Sequence, residues 1–525
     1  MGGTLELRIP VGALDSLSRR VRDAAGGDLQ GFRVERRSLD ARRGREACWQ
    51  LVVRTWGRDE TPPEPPLREP RMPTRRRPAP PVAVVGAGPA GLFAALGLAE
   101  AGVPVELFDQ GAGFPRRHFD VRDLRYEGVL HPHSNYRFGL GGAGTYSDGK
   151  LFTRNRGPAV REVLETLAWL AGDEALAVDA RPHVGTNRLI PVLTRLRAWL
   201  EAAGVRLHLD TRVEGLRIHG GTVAGVRLSG EDVEAAAVVL APGNAARDTL
   251  GWLAATGVAL ESRPAAVGVR VEHPRELIDR IQLGRLAGHP ELGAAEYRFA
   301  FPVGSRGAYS FCMCPGGHVL PVPAEIGGLA INGASHRARA SGFSNAALVV
   351  TAGPADWEGR HPGPLGGIGL QRELETAAFR LGGGGYRAPA QRVPDFLAAR
   401  VGSLPSSSYR PGLTPADVGS LFPDAIRESL REGLRVAGRV LRGYDSAEGL
   451  VIGVETTTGA VVRILRDPAG ESVSHRGLFP CGEGAGYAGG ITSSAADGLE
   501  LGRRLAERLS EIRPWGPAST SSWSS

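Results

Sequence analysis

Pro81-Val82-Ala-Val-Val85-Gly86-Ala-Gly88-Pro-Ala-Gly91, followed by an Ala/Leu-rich stretch to Ala101 and by Val103-Pro-Val-Glu-Leu-Phe108-Asp109, is the segment whose reading decides the fold. It runs strand, Gly-rich turn, helix, strand, acid. Gly86 permits the tight turn, Gly88 lets the backbone approach a pyrophosphate, and Gly91 lets helix and strand pack closely. The helix start offers N–H groups and the positive end of its dipole to phosphates. Asp109, 23 residues beyond Gly86, is placed to accept hydrogen bonds from ribose hydroxyls. An isolated Gly-x-Gly-x-x-Gly says little; in this βαβ context it reads as dinucleotide binding.

Upstream, residues 4–56 read as a small αβ unit, with strands at Leu5–Ile9, Phe32–Arg37 and Cys48–Thr55 and a helix over Leu14–Ala25. Asp59 to Pro80 holds eight prolines and the run Arg71-Met-Pro-Thr-Arg-Arg-Arg, a semi-rigid, solvated linker. Downstream, a helix is expected over Leu189–Ala203, strands at Val205–Leu209, a hairpin from Val213–Ile218 to Thr222–Leu228, and a buried strand running through Leu240 into Gly243. Near the other end, Gly477-Leu-Phe-Pro-Cys-Gly482-Glu483-Gly-Ala-Gly-Tyr-Ala-Gly489-Gly490-Ile491 leads into a helix starting near Ser493. A second helix start preceded by glycines and an acid suits the ribityl and isoalloxazine end of a flavin nucleotide, and the chain must leave the nucleotide domain and return to form it. The expected organisation is therefore α/β: a small N-terminal α+β domain (1–58), a linker (59–80), a Rossmann-type domain in two parts (81–262 and 475–512), an inserted, mostly antiparallel β substrate domain (263–474), and a disordered tail (513–525).

Composition agrees with a folded enzyme. Of 525 residues, 42% are hydrophobic and 23% charged, which excludes a disordered chain. No apolar run approaches the roughly 18 residues of a membrane span, and the start lacks a signal-peptide pattern, so a cytoplasmic protein is expected. The net charge of +7 is modest for this length. Lys150 is the only lysine, every other cation being arginine, which marks a position where a compact ammonium matters. The four cysteines, Cys48, Cys312, Cys314 and Cys481, include no Cys-x-x-Cys, so no zinc site or thioredoxin-type dithiol is expected. Cys312 and Cys314 lie two apart on a predicted strand, facing one way; they read either as small buried hydrophobes or as a pair of thiols on one surface.

The combination of Phe138-Gly-Leu-Gly-Gly-Ala-Gly-Thr-Tyr-Ser-Asp-Gly-Lys150, His183-Val-Gly-Thr, Gly268-Val-Arg-Val-Glu-His273, Phe311-Cys-Met-Cys-Pro-Gly-Gly317 and Gly482–Ile491 resembles the glutathione-reductase superfamily of FAD-binding proteins. More closely it is similar to the FAD-dependent dehydrogenases of bacteria and plastids, also described as NAD(P)/FAD-dependent oxidoreductases. The N-terminal segment Arg36-Arg-Ser-Leu-Asp-Ala-Arg42 fits as well. The resemblance implies FAD as cofactor, with Gly86, Gly88, Ala90 and Gly91 on the pyrophosphate, Asp109 on the ribose and Val213 giving backbone contacts to adenine. It places Gly141, Gly142, Gly144, Thr145, Ser147 and Lys150 in a second loop around the phosphates and ribityl chain. Gly243, Gly482 and Glu483 would lie along the dinucleotide, with Gly489, Gly490 and Ile491 against the flavin. The sequence departs from the family at Leu140, Pro242, Asn244 and across Glu455-Thr-Thr-Thr-Gly-Ala-Val-Val-Arg463, which implies a changed substrate or weaker activity.

Flavin would carry the redox chemistry, leaving the protein to place a substrate and manage a proton. Candidates for that role are His183, Arg270, Glu272, His273, Tyr309, Arg337 and Arg463, with Cys312 and Cys314 as thiol alternatives; Arg270, Cys312 and Cys314 rank first as catalytic. Tyr297-x-Phe-x-Phe-Pro302 reads as a sheet strand, its aromatics either lining the flavin or packing in the core. No second Gly-x-Gly-x-x-Gly and no disulfide motif follows the first, which argues against a disulfide reductase. The expected activity is hydride transfer between FAD and a small organic substrate, with NAD(P)H or a protein as electron donor, no membrane span and no metal. The alternatives are a flavin monooxygenase or a nucleic-acid-associated flavoprotein using the Arg-rich linker.

Overall fold

The computed structural model describes residues 3–26, 29–41, 46–75 and 80–511; Arg42, part of the linker's arginine run and the tail at 513–525 lie outside the described residues. Five short strands, Val82–Val85, Val105–Phe108, Arg206–His208, Ala237–Leu240 and Leu478–Pro480, form a parallel sheet. Their order is 478–480, 237–240, 82–85, 105–108, 206–208. The chain moves outward from Val82–Val85 on one side and then resumes on the other, so the Gly86 turn stands at the topological switch point, where open α/β sheets bind ligands. All four side chains of Ala237–Leu240 are buried, as a parallel strand covered on both faces requires.

Two helices cover this sheet, Pro89–Glu100 after the first strand and Ile491–Glu511 after the last. They approach closely because glycines line the contact: a Cβ on Gly498 would lie 2.0 Å from the Ala90 carbonyl oxygen, and one on Gly502 would lie 2.4 Å from that of Ala94. This contact joins segments more than 400 residues apart in sequence and so closes the domain.

Between them lies a seven-stranded sheet in the order Ala300–Val303, Arg306–Cys314, Phe343–Ala352, Ala265–Pro274, Leu450–Glu455, Ala388–Arg392 and Leu413–Pro415. Every pairing is antiparallel except the last. Leu260–Ser262 pairs with Val462–Ile464 where the chain leaves and re-enters. The Tyr297 motif differs from its expected form, since only Ala300–Val303 is strand. Tyr297, Phe299 and Phe301 stack in sequence, the first two buried against the fully buried Tyr444, so they pack in the core.

The N-terminal unit is a three-stranded antiparallel sheet, Thr4–Pro10, Cys48–Gly57 and Leu29–Asp40, with the helix Leu17–Ala25 over a core of Ile9, Val21, Leu51 and Val53. It is docked at two places: Arg37 pairs with Asp179 at 2.7 Å, and Glu291 accepts from Trp49 Nε1 and the Gly12 N–H, both at 3.0 Å. The linker corrects the expectation of a solvated spacer. Arg68 lies between Glu100 and Glu162, which also pair with Arg503, and its N–H donates to the Glu165 carbonyl. The helix expected from Leu189 begins at Thr186, and no helix among the described residues is long and apolar enough to cross a membrane.

Because Gly498 leaves no room for a side chain, Gly498→Val should separate the two helices and destabilise the protein by about 1–3 kcal/mol. Urea unfolding followed by circular dichroism checks this; an unchanged midpoint would contradict the close-packing argument.

Candidate functional site

The Gly86 turn is built as the sequence suggests. Gly86 has φ +104°, and a Cβ on Gly91 would lie 1.8 Å from the Gly86 carbonyl oxygen, so neither position tolerates a side chain. Gly88 is extended and precedes the helix, whose start has no side-chain cap. The first-turn N–H groups of Ala90 and Gly91 thus face outward with the positive end of the dipole. Asp109 differs in part from its expected role. Its carboxylate accepts the N–H groups of Ala87 (2.8 Å), Gly111 (2.8 Å) and Gly139 (2.9 Å). Burial raises its pKa against these bonds. It ties the glycine turn to the next loop and keeps lone-pair capacity on Oδ2 for a ribose hydroxyl. Val213 opens the hairpin near this end, where the Thr211 N–H donates to the Asp109 carbonyl at 2.9 Å.

The second glycine loop, residues 139–150, lies against the first. The Gly141 N–H donates to the Ala87 carbonyl at 2.8 Å, and a Cβ on Gly142 would meet Gly88 Cα at 3.0 Å. Gly144 faces Ile491 with the same 3.0 Å clearance, and Thr492 Oγ1 donates to the Leu151 carbonyl at 2.7 Å, so the start of the last helix touches the middle of the loop and the residue just past its end. Arg117 is fully buried beneath it. Its guanidinium donates to the carbonyls of Asn135, Leu140, Tyr136 and Gly142 and to the Thr145 hydroxyl. Burial brings its pKa down to about 10, so it stays charged at neutral pH. Thr145 and Ser147 spend their hydroxyls on the loop itself, donating to the carbonyls of Leu140 and Gly144.

From the other side come the ends of the strands Ala237–Leu240 and Leu478–Pro480. Gly243 and Gly484 abut so closely that a Cβ on Gly484 would lie 2.3 Å from the Gly243 oxygen. Asn244, a departure from the resembling family, donates to Glu483 Oε1 at 2.7 Å, and the Gly490 N–H donates to Oε2 at 3.0 Å. Gly482 donates to Asp497 at 2.7 Å. Glu483 therefore braces the segment before the last helix, its pKa raised by burial. A Cβ on Gly489 or Gly490 would meet nothing within 4 Å, so these two glycines face open space.

The inserted sheet brings Arg270, Cys312 and Cys314 to the end of the second loop. Lys150 corrects its expected place: the ammonium donates to the Met313 carbonyl and pairs with Asp148 at 3.2 Å, beside the two cysteines. Asp148 also takes the Ser335 hydroxyl and lies 3.3 Å from His183 Nε2. Burial alone would raise Asp148; Lys150 and His183 bring it down to about 2. Arg270 is also corrected. It is fully buried, and its donors go to Glu455 (3.0 Å), Asn345 (2.8 Å), Asn332 (3.0 Å) and the Cys312 carbonyl (3.3 Å), which commits the guanidinium to the protein. It is a positioning residue for the cysteine strand. Cys312 is half-buried and Cys314 fully buried.

The remaining candidates separate. His183 and Arg337 belong to the Lys150 end, Arg337 donating to the His183 carbonyl at 3.3 Å and pairing with Asp173. Glu272 is held by Ser407 and Ser408, and His273 by the Tyr444 carbonyl. Arg463 covers the Tyr487 ring. Tyr309 is held up in pKa by burial against a hydrogen bond to Thr351. Sequence reasoning passed over Arg117, Asp148, Arg137 and Glu455. Glu455 is pushed up to about 7 by burial, against the pull of Arg270. Arg117 and Arg137 carried no signal, because arginine is frequent throughout this chain; Asp148, within the Ser-Asp-Gly-Lys motif, did.

These surfaces fit an extended dinucleotide: an uncapped helix start at a glycine turn, a second glycine loop across it, and open glycines at the far end. Residues 264–458 match the family described as FAD-dependent protein, C-terminal domain-like. Over 431 residues the chain is 38% identical to an uncharacterized protein of Clostridium beijerinckii, covering 81% of this chain and 80% of that protein. The chain belongs to this family of FAD-dependent flavoproteins. FAD is its cofactor. It is also 30% identical over 211 residues to Protein FixC of Escherichia coli K12, covering 38% of this chain and 45% of FixC. A geranylgeranyl bacteriochlorophyll reductase-like protein of Thermoplasma acidophilum is similar at 12% identity and a TM-score of 0.35, covering 83% of this chain and 80% of that one.

The depressed Asp148 carboxylate sets a pH dependence. A folded pKa of about 2 against an unfolded value of about 3.9 contributes about 2–3 kcal/mol that is present above the unfolded value and lost as pH falls toward 2. Asp148→Asn should therefore be less stable than the native chain at pH 7, with the gap narrowing below about pH 4. Urea unfolding across this range reads it; a gap independent of pH would contradict the assignment.

Proposed function

We propose that this protein is an FAD-dependent oxidoreductase, a dehydrogenase or reductase of the cytoplasm, that moves a hydride between the flavin and a small organic substrate. What carries the reading is the convergence of the glycine turn, the 139–150 loop and the Gly489–Ile491 segment on one cleft at the switch point of the sheet. Within it, the N–H groups of Ala90 and Gly91, with Gly86 and Gly88 giving clearance, would hold the pyrophosphate, and Asp109 Oδ2 the ribose. Gly141, Gly142 and Gly144 would close over the phosphates, and Gly243, Gly489, Gly490 and Ile491 would border the ring end. When bound, FAD supplies the hydride acceptor or donor.

The chain's own groups set the surroundings of that chemistry. Glu455, poised near neutrality, is suited to hold or release a proton, and Arg270 fixes it through the 3.0 Å bond to Oε2. Lys150 and Arg270 are each paired with a buried carboxylate, Asp148 and Glu455, and so fix the inner wall of the cleft without adding net charge to it. NAD(P)H or a protein serves as electron partner in this reading.

The purified protein should show flavin bands near about 375 and 450 nm, bleached anaerobically by NADH or NADPH. Gly88→Val gives the specific control. A Cβ there meets only Gly142 Cα, at 3.9 Å, so the fold should survive while FAD content falls at least about tenfold. Full retention of FAD by this variant would refute the pyrophosphate site, and bands that no nicotinamide bleaches would refute NAD(P)H as donor.

A further inference from the structure

We infer that Cys312 and Cys314 form a two-electron dithiol–disulfide couple in the wall of the flavin cleft, with Cys312 as the attacking thiolate and Cys314 as its buried partner. The inference rests on the FAD-dependent reading above and adds a second redox centre to it.

The backbone supplies the first argument. The pair stands at a bulge in Arg306–Cys314, where the register against Phe343–Ala352 passes from Phe311↔Ala347 to Cys314↔Asn345. Three steps on one strand thus face two on the other. Cys312 takes a φ of +45° there, a left-handed conformation that costs about 1 kcal/mol or more in a residue with a Cβ. Two small apolar residues filling a strand would need neither feature. The kink folds the strand back on itself, so that Cys314 Sγ donates to the Cys312 carbonyl at 3.3 Å. Residue Cys312 is half-buried while Cys314 is fully buried, the asymmetry of an attacking and a resolving cysteine.

Charge supplies the second. The only lysine in the chain donates to the carbonyl of Met313, the residue between the two cysteines, and Arg270 donates to the carbonyl of Cys312. Asp148, Glu455 and Glu483 face them, the first two each paired with one of these cations and Glu483 held by Asn244 and the Gly490 N–H, and Glu296 faces Lys150. The hydrogen bond from Cys314 holds the Cys312 thiol below its ordinary range, with Lys150 and Arg270 adding to the effect against burial, while Cys314 is pushed up. Lys150 also ends the loop whose other end lies on Gly88, so one ten-residue segment, Gly141 to Lys150, joins the pyrophosphate cradle to the thiols.

In the proposed step Cys312 and Cys314 give two electrons and two protons to oxidised FAD and are joined by a sulfur–sulfur bond. The reverse step, with reduced FAD as donor, opens that bond and restores both thiols.

Anaerobic dithionite titration of the air-oxidised holoenzyme tests this, with bound FAD counted after its release. The native protein should take up about four electrons per bound FAD, and Cys312→Ser and Cys314→Ser about two. In parallel, alkylation with iodoacetamide in denaturant, mapped by mass spectrometry, should leave both cysteines unlabelled in the oxidised sample and label both after reduction. About two electrons in the native protein, with both cysteines alkylated before reduction, would overturn the couple, as would equal uptake by native and variant proteins. If the protein holds no FAD, the FAD reading fails by itself. Diamide treatment then still reads the pair: a Cys312–Cys314 disulfide supports the couple, and free thiols overturn it.

Discussion

A single buried guanidinium, that of Arg117, holds the loop on which the rest of the cleft depends. Residues 139–150 contain five glycines and would be costly to order by packing alone, because glycine loses the most conformational freedom on folding. Arg117 meets that cost by donating to four main-chain carbonyls and the Thr145 hydroxyl around the loop. Asp109 does the complementary work from the other side, accepting main-chain N–H groups from both glycine segments. Between them, one cation bound to carbonyls and one anion bound to amides fix two flexible turns against each other. Either charge alone would leave buried polar groups unpaired, at about 1–3 kcal/mol each.

The same logic continues along the inner wall, where buried charges are arranged as pairs. Arg270 meets Glu455, and Arg247 meets Glu375 at 2.6 Å, which also accepts from Thr456. Thr457 accepts from Arg137. At the start of the 455–463 segment, which departs from the resembling family from Thr457 onward, three consecutive side chains, Glu455 to Thr457, each answer a buried group from another element. Such pairs add little net stability, since desolvation offsets most of the attraction, but removing one partner is expensive. They fix geometry, and one of them, Arg270 with Glu455, also holds the Cys312 carbonyl and with it the cysteine strand.

The fold was legible in the sequence wherever local pattern decided it. The βαβ unit, the return at Gly482–Ile491 and the antiparallel insertion all follow from periodicity and glycine placement, which act over a few residues. The site was legible only in part. Glycines were found because their requirement is steric and local, whereas Arg117 and Arg137 were hidden by the arginine-rich background. Lys150 was recognised as unusual, but its partner could not be read: the loop and the Cys312 strand are brought together by the insertion, 163 residues apart. Arg270 was picked out by its motif, yet whether its donors face substrate or protein is a tertiary property, and the structure turns them toward Glu455, Asn332 and Asn345. The Tyr297 aromatics fit a strand pattern and a core pattern equally, and Tyr444, remote in sequence, settles which one forms.

The most direct measurement of the central claim is a crystal structure of the protein with FAD bound. In that structure the pyrophosphate should lie within hydrogen-bonding distance of the Ala90 and Gly91 N–H groups, with the 139–150 loop closed over it and the ring between Gly489–Gly490 and the Lys150–Met313 contact. FAD bound elsewhere, or a ring directed away from Lys150 and Cys312, would contradict the claim.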